Sequence, residues 1–343
     1  MTPSSNFELV SPGGLVARLS DFVTLMKPRV MVLAVFTSLV GLGCAPRELY
    51  GLDALAAVLA IAAGAGAAGV LNMWYDADID AIMTRTAMRP IPRGKVSRLE
   101  ALLFGAALAT GAVLLLALAT NLVAAALLGS TILFYIVVYT AWLKRSTPQN
   151  IVIGGAAGAL PPVIGWTAAT GSVALEPLVL FLIIFLWTPP HFWALALNRA
   201  DDYARAGVPV LPVVSGRAAT KRQIVIYSAL LVPASMLPWS IGFAGTIYGV
   251  TAAICGGAFV VLAFLLSRSS EADRGAAHRL FVFSITYLFV LFAALLVDNR
   301  GNPWSSMLPS RGARAPASFV RVDLPSTAGQ SDCYSIDSRA SEV

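Results

Sequence analysis

Charge is scarce in this 343-residue chain: Asp, Glu, Lys and Arg make up 12% of it, against 57% hydrophobic residues. A soluble domain holds roughly 25% charged residues, so an ordinary water-exposed globule is excluded. Cysteine is nearly absent. Cys44, Cys255 and Cys333 stand far apart with no C-x-x-C spacing, which excludes a zinc ribbon and covalent haem attachment. There are only two histidines, His191 and His278, too few for a histidine-built metal centre. The N-terminal residues lack the short apolar core and small-residue cleavage site of a signal peptide, so none is expected. No nucleic-acid partner is expected either: the net charge of +6 is spread between apolar segments.

What is abundant is long apolar runs. Nine lie at roughly 30–48, 53–75, 99–119, 121–142, 151–170, 174–198, 224–243, 246–267 and 280–298, each of a length that crosses a bilayer as a helix. The expected fold is all-α, a polytopic membrane helix bundle. It divides into a cytoplasmic N-terminal segment (1–29), a membrane domain (30–300) and a flexible Ser-, Pro- and Arg-containing tail (301–343). With the N-terminus placed inside, eighteen of the 24 lysines and arginines fall on the inner side. That asymmetry predicts an N-in, C-out protein of a cytoplasmic (inner) membrane, with its long loops and its chemistry facing the cytoplasm.

Within this apolar chain the stretch "LNMWYDADIDAIMTRTAMRPIPRG" (71–94) stands out. Residues four apart share a helix face, so Asn72, Asp76 and Asp80 form one polar stripe and Asp78 points nearly opposite. Carboxylates at a helix C-terminus oppose the macrodipole, and like charges at that spacing repel. The pattern echoes: Asn198 and Asp202 repeat N-x-x-x-D 126 residues later, again before a Pro-bearing basic loop ("RPIPRGKVSR", "VPVLPVVSGR"). Both helices run inward, which implies two four-helix units in parallel duplication plus one extra helix, around a central cavity. An inverted transporter repeat would oppose them.

Oxygen ligands from two facing helices, Asn72, Asp76, Asp80, Asn198, Asp201 and Asp202, suit Mg²⁺, with Asp76, Asp80 and Asp202 as metal-bound carboxylates. Arg85, Arg89, Arg93 and Lys95 then stand ready for phosphate oxygens. The bland alternative is a solvated loop, acidic then basic. His191, in "LWTPPHFWALALN", lies inside the sixth span after a Pro-Pro pair that should break or kink the helix. Two turns before Asn198, it should face the same cavity, or else bond a carbonyl freed by the prolines. Trp187, Phe192 and Trp193 fit an interfacial belt or the wall of a flat ligand site.

The quoted acidic stretch resembles the first Asp-rich motif of the UbiA-type intramembrane prenyltransferases. "WTPPHFWALALNRADDYARAGVPVLPVVSG", "LMKPRVMVLAVFTSLVGL" and "NIVIGGAAGALPPVIGWTAATG" resemble, more narrowly, the branch that farnesylates haem. The resemblance covers about 18–300. It implies an Mg²⁺-dependent reaction of haem B, farnesyl diphosphate and water to haem O and diphosphate, inside a lipid-embedded helical bundle. Asn72, Asp76 and Asp80 would be catalytic; Arg85, Arg89, Lys95, His191, Asn198, Asp201 and Asp202 would bind substrate. Asn198 departs from the D-x-x-x-D usual in the superfamily. His191 would position haem, as an iron ligand in one reading. A haem A synthase or an oxidase assembly factor would be the partner receiving the product. Two other readings compete: a transporter of an anionic lipid or haem, which predicts charges near the bilayer midplane, and a sister prenyltransferase acting on an aromatic acid.

Overall fold

The computed structural model describes residues 12–47, 49–270 and 273–301, so the expected tail lies outside the described residues except for Gly301. Helices α1 (Pro12–Leu25) and α2 (Pro28–Gly43) meet at a 52° bend. α3 (Gly51–Tyr75), the short α4 (Ala77–Ile82) and α5 (Arg98–Ala119) follow. A single rod then comprises α6 (Leu122–Leu133), a π-helical segment (Phe134–Leu143) and α7 (Lys144–Ser146). α8 (Asn150–Ala159) and α9 (Pro161–Thr170) form one span; α10 (Leu175–Leu197) precedes the short α11 (Ala200–Arg205) and α12 (Leu211–Val214). α13 (Gly216–Ser240), α14 (Thr246–Arg268) and α15 (Arg274–Gly301) complete the described chain. Among the described residues eight helices are long and apolar enough to cross a bilayer, nine if bent α1–α2 counts as one. This is the expected all-α bundle, although helix begins at Pro12, inside the segment read as preceding the first span.

The outer surface is apolar. Leu118 is 87% exposed and Leu52 82%, and such residues recur along every long helix. In water this would be an aggregation surface; here it is the face that lipid covers. Without a hydrophobic drive between helices in lipid, packing depends on close approach at small residues. α2 and α9 cross backbone to backbone: a Cβ on Gly41 would sit 2.1 Å from the Pro162 carbonyl oxygen, and one on Gly165 2.1 Å from that of Ser38. Polar clips hold the ends. Ser97 and Glu100 form a capping box at the start of α5, and Asn121 caps α6 while its Nδ2 donates to Thr167 O at 2.9 Å.

α10 continues through Pro189 and Pro190 as one helix, so the prolines do not break it. Two side chains beside that stretch tie it down: within α10 Thr188 Oγ1 donates to Ile184 O at 2.7 Å, and Trp187 Nε1 donates across to Ser284 O on α15 at 2.8 Å. Such partners are what lets proline persist in a membrane helix.

The α2–α9 crossing yields a test. Gly165→Ala should lower stability in detergent by about 1–3 kcal/mol through overpacking. Gly111→Ala, where a Cβ meets nothing within 4 Å, should be neutral or slightly stabilising. Thermal unfolding of the purified variants checks the contrast.

Candidate active site

The polar stripe survives the junction between α3 and α4. Asp76 lies between the two helices, yet its carbonyl still accepts from Asp80 N at 2.8 Å, so Asn72, Asp76 and Asp80 stay on one side. All three are buried, Asp76 completely at 0% exposure. Burying carboxylates against an apolar wall is costly unless cations answer them. Here lysines and arginines do. Lys144, at the end of the π-helical rod, pairs with Asp76 Oδ2, and Arg145 approaches Asp76 Oδ1 at 3.6 Å. Arg89 pairs with Asp80 at 2.5 Å. Lys27 Nζ donates to Asn72 Oδ1 at 2.6 Å, and Asn72 Nδ2 donates to Asp76 at 2.8 Å and Thr140 at 3.0 Å. Asp78 stands at the edge of the network and shares Arg145 with Asp76. Half-exposed, it takes two 2.8 Å bonds from Arg145, which holds its carboxyl down to about 2. That pair supports the fold above the usual carboxylate range and is lost only as pH falls toward 2.

Local backbone explains the convergence. Lys27 adopts φ 56, the chain's described non-glycine residue with positive φ, immediately before the N-terminal proline of α2. Lys27 stands at the bend between α1 and α2, and its side chain reaches Asn72 on α3. In the π-helical segment each turn takes an extra residue, an arrangement found mostly at functional sites. It sets Thr140 Oγ1 onto Tyr135 O, five residues back, at 2.8 Å. Gly154 makes room for this rod: a Cβ there would lie 2.1 Å from the Tyr139 ring.

The second acidic motif joins through a single residue. Asp202, buried on α11, accepts from Thr84 Oγ1 at 3.0 Å and pairs with Arg205, which also donates to Thr84 at 3.0 Å. Thr84 follows α4, so the echoed motifs meet across the two halves. The other predicted residues lie elsewhere. Asp201 and Arg85 are exposed, and Lys95 pairs with Asp21 at 3.3 Å. Asn198 donates to the Arg274 carbonyl at 3.0 Å. His191 bonds a hydroxyl rather than a carbonyl freed by the prolines. Its Nδ1 shares a 2.6 Å hydrogen bond with Ser284 Oγ, and its ring lies between Trp187 and Phe281, with centroids at 4.3 and 4.8 Å. Lys27, Thr84, Thr140, Lys144, Arg145 and Arg205 were not among the predicted residues. Lys144 and Arg145 carried a sequence signal, being a basic pair abutting a span, but it read equally as membrane topology.

Beside the network lies an apolar cavity of about 150 Å³. Lys27, Gly64, Gly69, Leu128, Tyr135 and Pro161 are among its walls. Lys27 therefore touches both: its stem lines the cavity while its ammonium holds Asn72.

Mg²⁺ takes few protein carboxylates and keeps water or phosphate oxygens for the rest. The residues present fit that habit. Asp76 Oδ1 is buried without a hydrogen-bond partner, and Asn72 and Asp80 stand on the same side. Among the described residues no three acidic, His or Cys side chains converge as a complete cage, so a metal here would need oxygens from its ligand.

The Lys144–Asp76 pair gives a direct test. Lys144→Met leaves a buried carboxylate short of its closest cation and should cost about 3 kcal/mol; adding Asp76→Leu should recover most of the loss. Thermal unfolding of single and double variants decides it: a double variant no more stable than the single contradicts the pairing.

Comparison with known proteins identifies the lineage. Residues 34–297 match the UbiA prenyltransferase family. The protoheme IX farnesyltransferase of Parvibaculum lavamentivorans is 59% identical over 291 residues, covering 84% of this chain and 91% of that protein. Protoheme IX farnesyltransferase 2 of Mesorhizobium japonicum is 56% identical over 285 residues, 82% and 91% of the two chains. Among solved structures, one described as digeranylgeranylglyceryl phosphate synthase superposes with a TM-score of 0.69 at 22% identity, covering 83% of this chain and 100% of that one. A UbiA homologue from Archaeoglobus fulgidus bound to DMAPP and Mg²⁺ gives 0.59 at 17% identity, covering 81% and 99%. These two likenesses speak for the fold. With the relatives matched over nearly their whole length, the chain belongs to the UbiA prenyltransferase family and, within it, to the protoheme IX farnesyltransferases.

Proposed function

We propose that this chain transfers the farnesyl group of farnesyl diphosphate to a vinyl group of haem B, with water completing the addition, to give haem O and diphosphate. The observation that carries the reading is the junction at Lys27, where an apolar cavity ends on a network of buried acids and bases. An amphiphile with an apolar chain and a polyanionic head fits that junction. The chain lies against Gly64, Gly69 and Leu128; the head reaches Asn72, Asp76 and Asp80.

Mg²⁺ held by Asp76 and Asp80, its remaining positions filled by diphosphate oxygens and water, would supply Lewis-acid polarisation of the departing diphosphate, with Asp202 of the second motif as a further carboxylate toward the same ligand. The residues of the chain do the rest. Lys27, Lys144 and Arg89, which pair with Asn72 and the acids, would present N–H donors to diphosphate oxygens bound at this network. Such preorganised donors stabilise the charge that builds on the leaving group. As the allylic C–O bond breaks, the vinyl π electrons form the new C–C bond. The cation left on the haem side is captured by water, whose proton leaves to give the hydroxyl. Apolar walls keep bulk water from the farnesyl carbon before the vinyl reaches it. On the haem side, the His191–Trp187–Phe281 stack on α10 and α15 presents aromatic surface of the kind a porphyrin packs against, and His191 retains its role as positioning residue. Asn198, Asp201, Arg85 and Lys95, outside the acid network, keep their assignment as peripheral substrate contacts.

The protein resides in the cytoplasmic (inner) membrane with its N-terminus inside, and the acid network faces the cytoplasm. Haem O is too apolar to cross water readily, which favours direct hand-over to a membrane partner such as a haem A synthase.

The test is pigment analysis in a host lacking its own farnesyltransferase. Expression of this chain should yield haem O by chromatography and mass spectrometry. Asp76→Ala at equal expression should lower kcat/KM by at least about 100-fold. Chelation should abolish activity in membranes and Mg²⁺ should restore it. Absence of haem O from well-expressed parent protein contradicts the acceptor assignment.

A further inference from the structure

A second basic cleft lies apart from the acid network, between the start of α13 and the end of α14. Lys221, Arg222, Val225, Ile226, Phe264 and Ser269 are among its lining residues. Chain direction puts this cleft at the same end of the bundle as Asp202, since α10 ends and α13 begins there.

The cleft is divided by chemistry along its depth. At the helix ends stand Lys221 and Arg222, and Arg268 lies nearby with its guanidinium 4.8 Å over the Phe264 ring. One turn deeper, Val225, Ile226 and Phe264 form apolar walls, with Ile226 43% and Phe264 48% exposed. These open toward the surface that lipid covers. Lys221 is itself buried, at 6% exposure. Its ammonium donates to Ser269 O at 2.7 Å and Ser269 Oγ at 3.2 Å, closing the C-terminus of α14. An ammonium has three donors, so one remains. Among the described residues none of the three cations pairs with a carboxylate. The next described acid along the chain, Asp273, is occupied by the Gly275 and Ala276 amides at the start of α15. Three cations that pair with no carboxylate among the described residues, at the interface end of a cleft with apolar walls, call for a ligand with a negative head and an acyl tail.

We propose that this cleft is a binding site for an anionic phospholipid, its phosphate held by Lys221, Arg222 and Arg268 and its acyl chain laid along Val225, Ile226 and Phe264. Basic pockets between helix ends bind such head groups in membrane proteins. Nothing in the transfer chemistry uses these residues, so the site serves anchoring at the membrane surface rather than turnover.

The experiment incubates purified full-length protein in detergent with an equimolar mixture of phosphatidylglycerol and phosphatidylcholine and reads retained lipid by native mass spectrometry. Wild-type protein should retain phosphatidylglycerol preferentially. Arg222→Gln and Arg268→Gln should each reduce that preference about fivefold, while the unfolding temperature stays put. Both side chains are exposed, and Lys221, which also closes α14, is left in place. Equal retention of the two lipids by wild type, or an unchanged preference in the Arg222→Gln/Arg268→Gln variant, overturns the proposal. Displacement of the lipid by inorganic phosphate, with no preference left between lipids, overturns the lipid assignment in favour of a free-phosphate site.

Discussion

A carboxylate with no solvent at all, Asp76, sits where an apolar bundle meets the membrane surface, and the rest of the site is built around its charge. Burial at 0% exposure forbids an isolated anion. Lys144 and Arg145 approach it from one rod, and Asn72 donates to it from its own helix. The local irregularities serve this requirement. The π-helical segment delivers Thr140 and Lys144 to the network; the positive φ of Lys27 stands at the bend from which this lysine reaches Asn72; Gly154 lets the rod come close. In each case an unfavourable backbone or a missing side chain is tolerated because the alternative is an unanswered charge.

The proposed diphosphate site is built from charges that already answer one another: Asp76, Asp80 and Asp202 are each paired, with Lys144, Arg89 and Arg205. In the proposed function a metal and a diphosphate would bring opposite charges together, so that the buried net charge would change less than with either alone. Thr84 adds a geometric link, since its contact with Asp202 ties the loop after the first acidic motif to the second.

Much of this was legible in the sequence. Apolar runs of membrane-crossing length gave the spans because lipid demands helices that satisfy their own backbone. N-x-x-x-D placed Asn72, Asp76 and Asp80 on one side because helical spacing fixes a face, and that face survived even where α3 gives way to α4. Partner choice was not legible. Lys95 and Arg89 stand in one basic loop, yet one reaches Asp80 and the other Asp21. Lys27 and Lys144 lie far from the acids in sequence, and their contacts depend on a bend and on a π-helical register that a 3.6-residue period does not describe. His191 follows the same lesson: helical phase put it in line with Asn198, but its stacking against Phe281 and its bond to Ser284 on α15 set its surroundings.

The central claim is that the buried acids and their cations form a preassembled site for a metal-bound diphosphate. Calorimetric titration of the purified protein with a non-hydrolysable farnesyl thiodiphosphate tests it without haem and without turnover. The account predicts saturable binding that requires Mg²⁺ and disappears in the Asp76→Asn/Asp80→Asn variant. Equally tight binding without the metal, unaffected by those substitutions, would contradict it.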